Sequence, residues 1–203
     1  MKTQIVIIGG GEWFDTRKKY LNFLKKLPFD PYEERPKGWK ENLEEDLGRR
    51  YEVIRVRMPN PLNAKYDEWK IHFDKVVPYV EAGSIVVGHS LGGLFLAKYL
   101  NENRMLRPLR GAIFVSPPYR KKGDKDLIDF QFSGHKKFQQ EVPELHVIQG
   151  SEDKIVPTED SSEYVYNVKN AKGLLIVGRE HFIFEEHFPE LVKIIKEMVK
   201  NYQ

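Results

Sequence analysis

The chain has 203 residues, 40% of them hydrophobic and 12% aromatic, which is enough apolar surface for a buried core and excludes global disorder. Its 33 basic and 30 acidic residues leave a net charge of +3 scattered along the sequence, so no block of one sign argues for nucleic acid. Cysteine is absent, which excludes a disulfide framework or a thiolate metal site and fits a reducing cytoplasm; no apolar stretch reaches the roughly 18 residues of a membrane span, and the run before Gly9 is too short for a secretory signal.

From the N-terminus, Gln4–Ile8 is a β-branched apolar run closed by three glycines and reads as a strand. A long segment follows. Tyr20, Phe23, Leu24 and Leu27 recur at helical spacing, Pro28 to Gly38 reads as a loop, and Trp39 to Leu47 reads as a second helix ended by Gly48. A crossover between parallel strands needs one helix, so the first is extra. Further strands are expected at Tyr51–Arg57, Ser84–Gly88, Gly111–Val115, Leu145–Gln149 and Gly173–Val177, each apolar enough for burial on both faces. Between them, Tyr66, Trp69, Phe73, Val76 and Val80 mark one helix face, with Pro78 disturbing its last turn. The run from Leu94 to Leu100 is apolar almost all round, as in a central buried helix. A final helix starts at Pro189, with Leu191, Ile195, Met198 and Tyr202 along one face.

Alternating strands and helices imply an α/β fold with a mainly parallel sheet and right-handed crossovers, so functional groups should collect beyond the carboxyl ends of the strands. Gly88-His89-Ser90-Leu91-Gly92 stands at such an end, between a strand and a helix, and matches G-x-S-x-G. A serine on a turn that tight projects its oxygen from the sheet, and glycines two positions either way avoid a clash. The bland alternative is a helix-capping serine. The amide of Leu91, opening the helix, would face negative charge developing on a bound carbonyl.

A serine nucleophile needs a base and an acid. Of six histidines, His181 lies just past the last strand and before the last helix, where a loop can bring it over the turn. His187 lies nearer that helix, His72 on a helix and His146 inside a strand. The acid is expected past the fifth strand, and Asp153 in "GSEDKIVP" is preferred, with Glu152 and Asp160 as alternatives. The loop after the first strand can supply a second backbone donor, from Gly11 or, less favoured, Glu12. Its glycines do not complete a dinucleotide fingerprint, because Phe14 stands where the third glycine belongs. Trp13, Phe14, Tyr119 and Phe182 are candidate apolar lining for a substrate.

The order Ser90, Asp153, His181 resembles that of α/β-hydrolases, and "MPNP", Trp69, "GHSLGG", "VSPPY", "GSEDKIVP" and "EHF" resemble, in order, the landmarks of small serine hydrolases that include the retinoblastoma-binding serine hydrolase. The resemblance runs from about Tyr51 onward; Lys154 and Glu180 stand where that family often has an acid and a glycine. It implies an α/β-hydrolase domain of six strands in the order 2-1-3-4-5-6 with no large cap; the extra helix has no counterpart in that family, and its apolar face makes the 12–38 segment a candidate lid-like insertion. The expected activity is hydrolysis of a small carboxylic ester, thioester or aminoacyl bond through an acyl-enzyme on Ser90, with no metal or cofactor. The expected partner is a small acyl substrate; nothing indicates a protein partner. The rival readings are a binding module that retains the fold and an acyltransferase using the same residues.

Overall fold

The computed structural model describes residues 2–32 and 37–200. Six strands, β1 (Thr3–Ile8), β2 (Tyr51–Val56), β3 (Ile85–His89), β4 (Gly111–Val115), β5 (Leu145–Gly150) and β6 (Ala171–Ile176), form one sheet. Their order is β2-β1-β3-β4-β5-β6 and every pairing is parallel. Parallel strands need crossovers, and each of the five is supplied by helix: α1 (Arg17–Lys26) and α2 (Trp39–Leu47) after β1, α3 (Tyr66–Asp74) after β2, α4 (Leu91–Glu102) after β3, α5 (Lys136–Glu141) after β4 and α6 (Thr158–Asn167) after β5; α7 (Pro189–Lys200) follows the last strand. This is the α/β-hydrolase fold, with no cap domain among the described residues.

The two-residue period of the strands divides the core. Val6, Ile8, Val86, Ala112 and Phe114 point into one cluster with α3, α4, α5 and α6. Ile5, Ile7, Ile85, Val87, Ile113 and Val115 point into the other, with α2 and α7. α4 is buried over most of its surface, and Phe95 packs edge-on to Trp69 and Phe73 of α3. α3 ends at Asp74, and Pro78 sits in a short 3-10 turn beyond it, where its missing amide costs nothing.

Two expectations need correction. Burial on both faces holds for β3 and β4 but not for the edges: β2 alternates buried and exposed residues, and β6, which starts two residues earlier than expected, exposes Leu174 and Leu175. An edge strand has one neighbour, and its position depends on strand order rather than on its own composition. The extra helix forms as α1, capped by Thr16 accepting from the amide of Lys19, yet none of its residues is buried. Tyr20 and Phe23 pack instead on Phe14, while Leu27 is 42% exposed. Pro36 and Tyr202 lie outside the described residues. No helix among the described residues is long and apolar enough to cross a membrane.

Candidate active site

β3 turns directly into α4 at Ser90, which has φ 54° and ψ −128°. A non-glycine residue there carries strain of about 1–3 kcal/mol and persists only when its surroundings dictate it. They do. The Ser90 amide donates to the Val115 carbonyl on β4 at 2.8 Å, and its carbonyl accepts from Gly93 at 2.9 Å. A Cβ on Gly92 would strike the carbonyls of Ile8 and Gly9, and one on Gly88 would come within 2.6 Å of Gly93. The bland alternative fails, because the Ser90 side chain makes no capping hydrogen bond. Ser90 is half-buried, between neighbours that are fully buried.

The loop after β1 lies against this turn: a Cβ on Gly10 would meet Cβ of Ser90 at 3.0 Å and its Oγ at 3.3 Å. The amide of Glu12 is spent on the Pro61 carbonyl at 2.7 Å, which removes Glu12 from the candidate donors. The Gly11 amide has no acceptor among the described residues. Leu91 is the first residue of α4, where backbone amides lack intrahelical partners.

His181 and Asp153 meet. Nδ1 of His181 lies 2.7 Å from Oδ2 of Asp153, both side chains being shielded from solvent. A carboxylate only accepts, so Nδ1 donates in this bond, and in the neutral imidazole Nε2 keeps its lone pair. Ser90 and His181 share no hydrogen bond among the described residues, a contact that is often long before substrate binds. Burial pushes the Asp153 carboxyl up, but the Val156 amide, His181, the Ile155 amide and the nearby Ser116 hydroxyl outweigh it and hold it below the usual value. The amides of Ile155 and Val156 both donate to Oδ1 at 2.9 Å, so the turn after Asp153 fixes its carboxylate.

The competing residues have other partners. Asp160 binds Arg120 at 2.6 Å and the Tyr119 amide at 3.1 Å, and Glu152 is exposed. His187 pairs with Asp46, His146 with Glu144, and His135 with the Tyr119 hydroxyl.

Two lining candidates belong to the core. The ring of Phe182 is 1% exposed and stacks on Phe188 at 4.6 Å between α2 and α7, although its chain borders a cavity of about 230 Å³ with Ile155, His181, Ile183 and Phe184. Tyr119 is buried edge-on to Tyr164, and burial, with Glu163 and Asp124, pushes its hydroxyl up to about 12. An aromatic residue close to a site in sequence is still more often core. Trp13 and Phe14 are half-buried in the loop after Gly11, with Trp13 donating to Asp129 at 3.2 Å.

Four supporting residues escape a reading by motif. Gln149, buried, donates to Oδ2 of Asp153 at 3.0 Å and to the Val156 carbonyl at 3.2 Å, and Ser161 fixes its amide by donating to Oε1 at 2.6 Å. A glutamine closing an apolar strand was the available signal. His89 donates from Nε2 to the His181 carbonyl at 2.8 Å, and Trp39 donates to the next carbonyl, of Phe182, at 2.9 Å. Burial first, then the charges of Lys40 and His181, push His89 well below its usual value despite that carbonyl, so it stays neutral. Lys154 and Glu180 face each other at 3.8 Å on the surface.

The α/β-hydrolase fold here carries a strained serine at the carboxyl end of its third strand and a histidine–aspartate pair from the loops after β6 and β5. The chain belongs to the serine hydrolase family, whose model matches residues 32–197. It is 25% identical over 150 residues to YdeN of Bacillus subtilis (strain 168), covering 72% of this chain and 78% of YdeN. The crystal structure of the ydeN gene product superposes with a TM-score of 0.72 at 19% identity, covering 98% of this chain and all of that one. The CarC serine hydrolase of carbazole degradation gives 0.64 at 15%, covering 98% and 92%, and the CumD meta-cleavage product hydrolase of Pseudomonas fluorescens IP01 gives 0.65 at 12%, covering 99% and 92%.

Proposed function

We propose that the protein hydrolyses a small carboxylic ester, thioester or aminoacyl bond through an acyl-enzyme on Ser90. The observation that carries this reading is the 2.7 Å bond between His181 Nδ1 and Asp153, which leaves Nε2 as a base at the sheet edge where Ser90 is held in a strained turn. Oγ of Ser90 attacks the carbonyl carbon while Nε2 of His181 takes its proton. The oxyanion accepts from the amides of Leu91 and Gly11. Collapse expels the leaving group, which receives the proton from His181. Water, giving a proton to the same nitrogen, then attacks the acyl carbon and releases the acid and free Ser90. Asp153 keeps the imidazole in the required tautomer and stabilises the imidazolium.

The proposed cycle uses side chains, backbone amides and water, and calls on no cofactor. Trp13 and Phe14, beside Gly11, are proposed to contact the substrate, and the 12–38 segment is proposed as a small lid over that edge. The sequence landmarks from Met58 onward favour the subgroup that includes the retinoblastoma-binding serine hydrolase, and the lack of cysteine favours a reducing compartment such as the cytoplasm.

The test is labelling by a fluorophosphonate, which reacts only with an activated serine. Wild-type protein should be labelled and Ser90→Ala should not; an unlabelled wild type, or equal labelling of the two, sinks the proposal. Replacing residues 16–32 by a short Gly/Ser bridge should leave a folded protein with altered preference between short and long acyl esters. Unchanged relative kcat/KM across the series reduces α1 to scaffold.

A further inference from the structure

α1 carries Arg17, Lys18, Lys19, Lys25 and Lys26 with no acidic residue among its ten, and none of the ten is buried. Only Lys19 has an ion partner among the described residues, Asp15 at 2.8 Å. On the helix, Leu21 stands four residues from both Arg17 and Lys25 and three from Lys18, so one face alternates cations with an exposed apolar side chain. Just beyond the helix, Phe29 and Tyr32 are each 88% exposed. An aromatic residue that exposed gains little from folding, and cations with one ion partner among the described residues repel one another; both are tolerated where another surface completes them.

The location narrows that surface. All six strands are parallel, so the loops after β1, β5 and β6 leave the same edge of the sheet. That edge holds Gly10 against Ser90, and it also exposes Ile155, Ile183 and Phe184 around His181. Apolar groups and cations interleaved on one short helix suit a surface that is apolar beneath and anionic above. Nucleic acid would use the charge but leave Leu21, Leu27 and Ile183 in water.

We propose that α1 with Phe29 and Tyr32 docks the protein on an anionic lipid bilayer, seating the edge that carries Ser90 and His181 against the membrane. Phe29, Tyr32 and Leu21 enter the boundary between headgroups and acyl chains, and Lys18 and Lys25 reach the lipid phosphates. Four to eight such cations are a typical complement for binding an anionic leaflet. The substrate consequence rests on the acyl-hydrolase reading: acyl esters presented by a lipid surface would reach Ser90 without crossing water.

The test uses full-length Ser90→Ala protein, which cannot consume lipid, co-sedimented with vesicles of phosphatidylcholine alone or mixed with phosphatidylglycerol. Binding to the mixed vesicles and not to the neutral ones is expected. The pair Lys18→Glu with Lys25→Glu should weaken it at least about tenfold. Phe29→Ser with Tyr32→Ser, which leaves the charge unchanged, should weaken it comparably. Circular dichroism and thermal melting confirm that each variant is folded. No binding to mixed vesicles, or binding that survives both double variants, overturns the proposal. So does loss on charge reversal alone, with equal binding to a single-stranded oligonucleotide, since that describes a polyanion surface. Fluorophosphonate labelling of the wild type tests hydrolysis separately, so docking and catalysis can each fail alone.

Discussion

Oδ2 of Asp153 accepts twice, from His181 at 2.7 Å and from Gln149 at 3.0 Å. The second bond prevents the carboxylate from rotating away from the imidazole, and Ser161 keeps the glutamine amide from flipping. On the proposed mechanism Gln149 acts through Asp153 and is a positioning residue. Gln149→Leu removes a buried donor at about 1–3 kcal/mol. It should lower kcat about tenfold while KM stays within about twofold, because the loss falls on the imidazolium formed in the transition state rather than on ground-state binding. Steady-state kinetics on a soluble ester, with a thermal melt as control, decide this. An unchanged kcat in a folded variant removes Gln149 from the positioning of the acid.

At the scale of elements, α2 holds the loop that carries the histidine. The Trp39 amide donates to the Glu185 carbonyl at 2.8 Å, its Nε1 to Phe182 and the Asn42 side chain to Glu186 at 3.0 Å, while His89 takes the carbonyl of His181 itself. His181 is thus tied both to a helix and to the residue preceding Ser90. Trp39→Phe keeps most of the ring contact with Phe188 but orphans the Phe182 carbonyl, and should cost about 1–3 kcal/mol of stability. The accompanying fall in kcat should exceed any change in KM. Equal urea midpoints for the two proteins would exclude the clamp. None of this could be read from the sequence, because the acceptors are backbone carbonyls, which any residue supplies. What could be read was periodicity and punctuation. The apolar runs ending in glycine became β1, β3 and β5, and the serine between glycines became the strained turn. The buried ring of Phe182 and the exposed residues of β6 escape the sequence for the same reason: an aromatic beside the histidine and an apolar run at the sheet edge look alike in either setting until the strand order assigns each a side.

Over the whole molecule, burial of neutral histidines sets a pH dependence of stability. Burial pushes His89 well down, assisted by Lys40 and His181, and burial with the charge of Lys121 pushes His135 down. Well above the ordinary histidine value of about 6.5 both are neutral in the folded and the unfolded chain and contribute no pH dependence. Below it the unfolded chain takes up protons that the folded protein refuses, so stability falls as pH falls toward the lowered folded values. Asp153, held low, adds a similar loss only further down: its contribution is complete above the ordinary carboxylate range and disappears as pH drops through its depressed value. His187, raised first by its hydrogen bond to Asp46, acts in the opposite sense, since its contribution is full below the ordinary histidine value and is lost as pH rises through the raised one. The absolute slope therefore mixes signs, and the informative quantity is a difference. His89→Gln can keep a donor toward the His181 carbonyl but cannot titrate. Its urea midpoint should decline less than that of the wild type between about pH 7 and about pH 5, with the two curves parallel above about pH 7. Parallel curves throughout would mean that His89 takes up its proton as readily in the folded chain as in the unfolded one, and that burial against Trp39 does not keep it neutral.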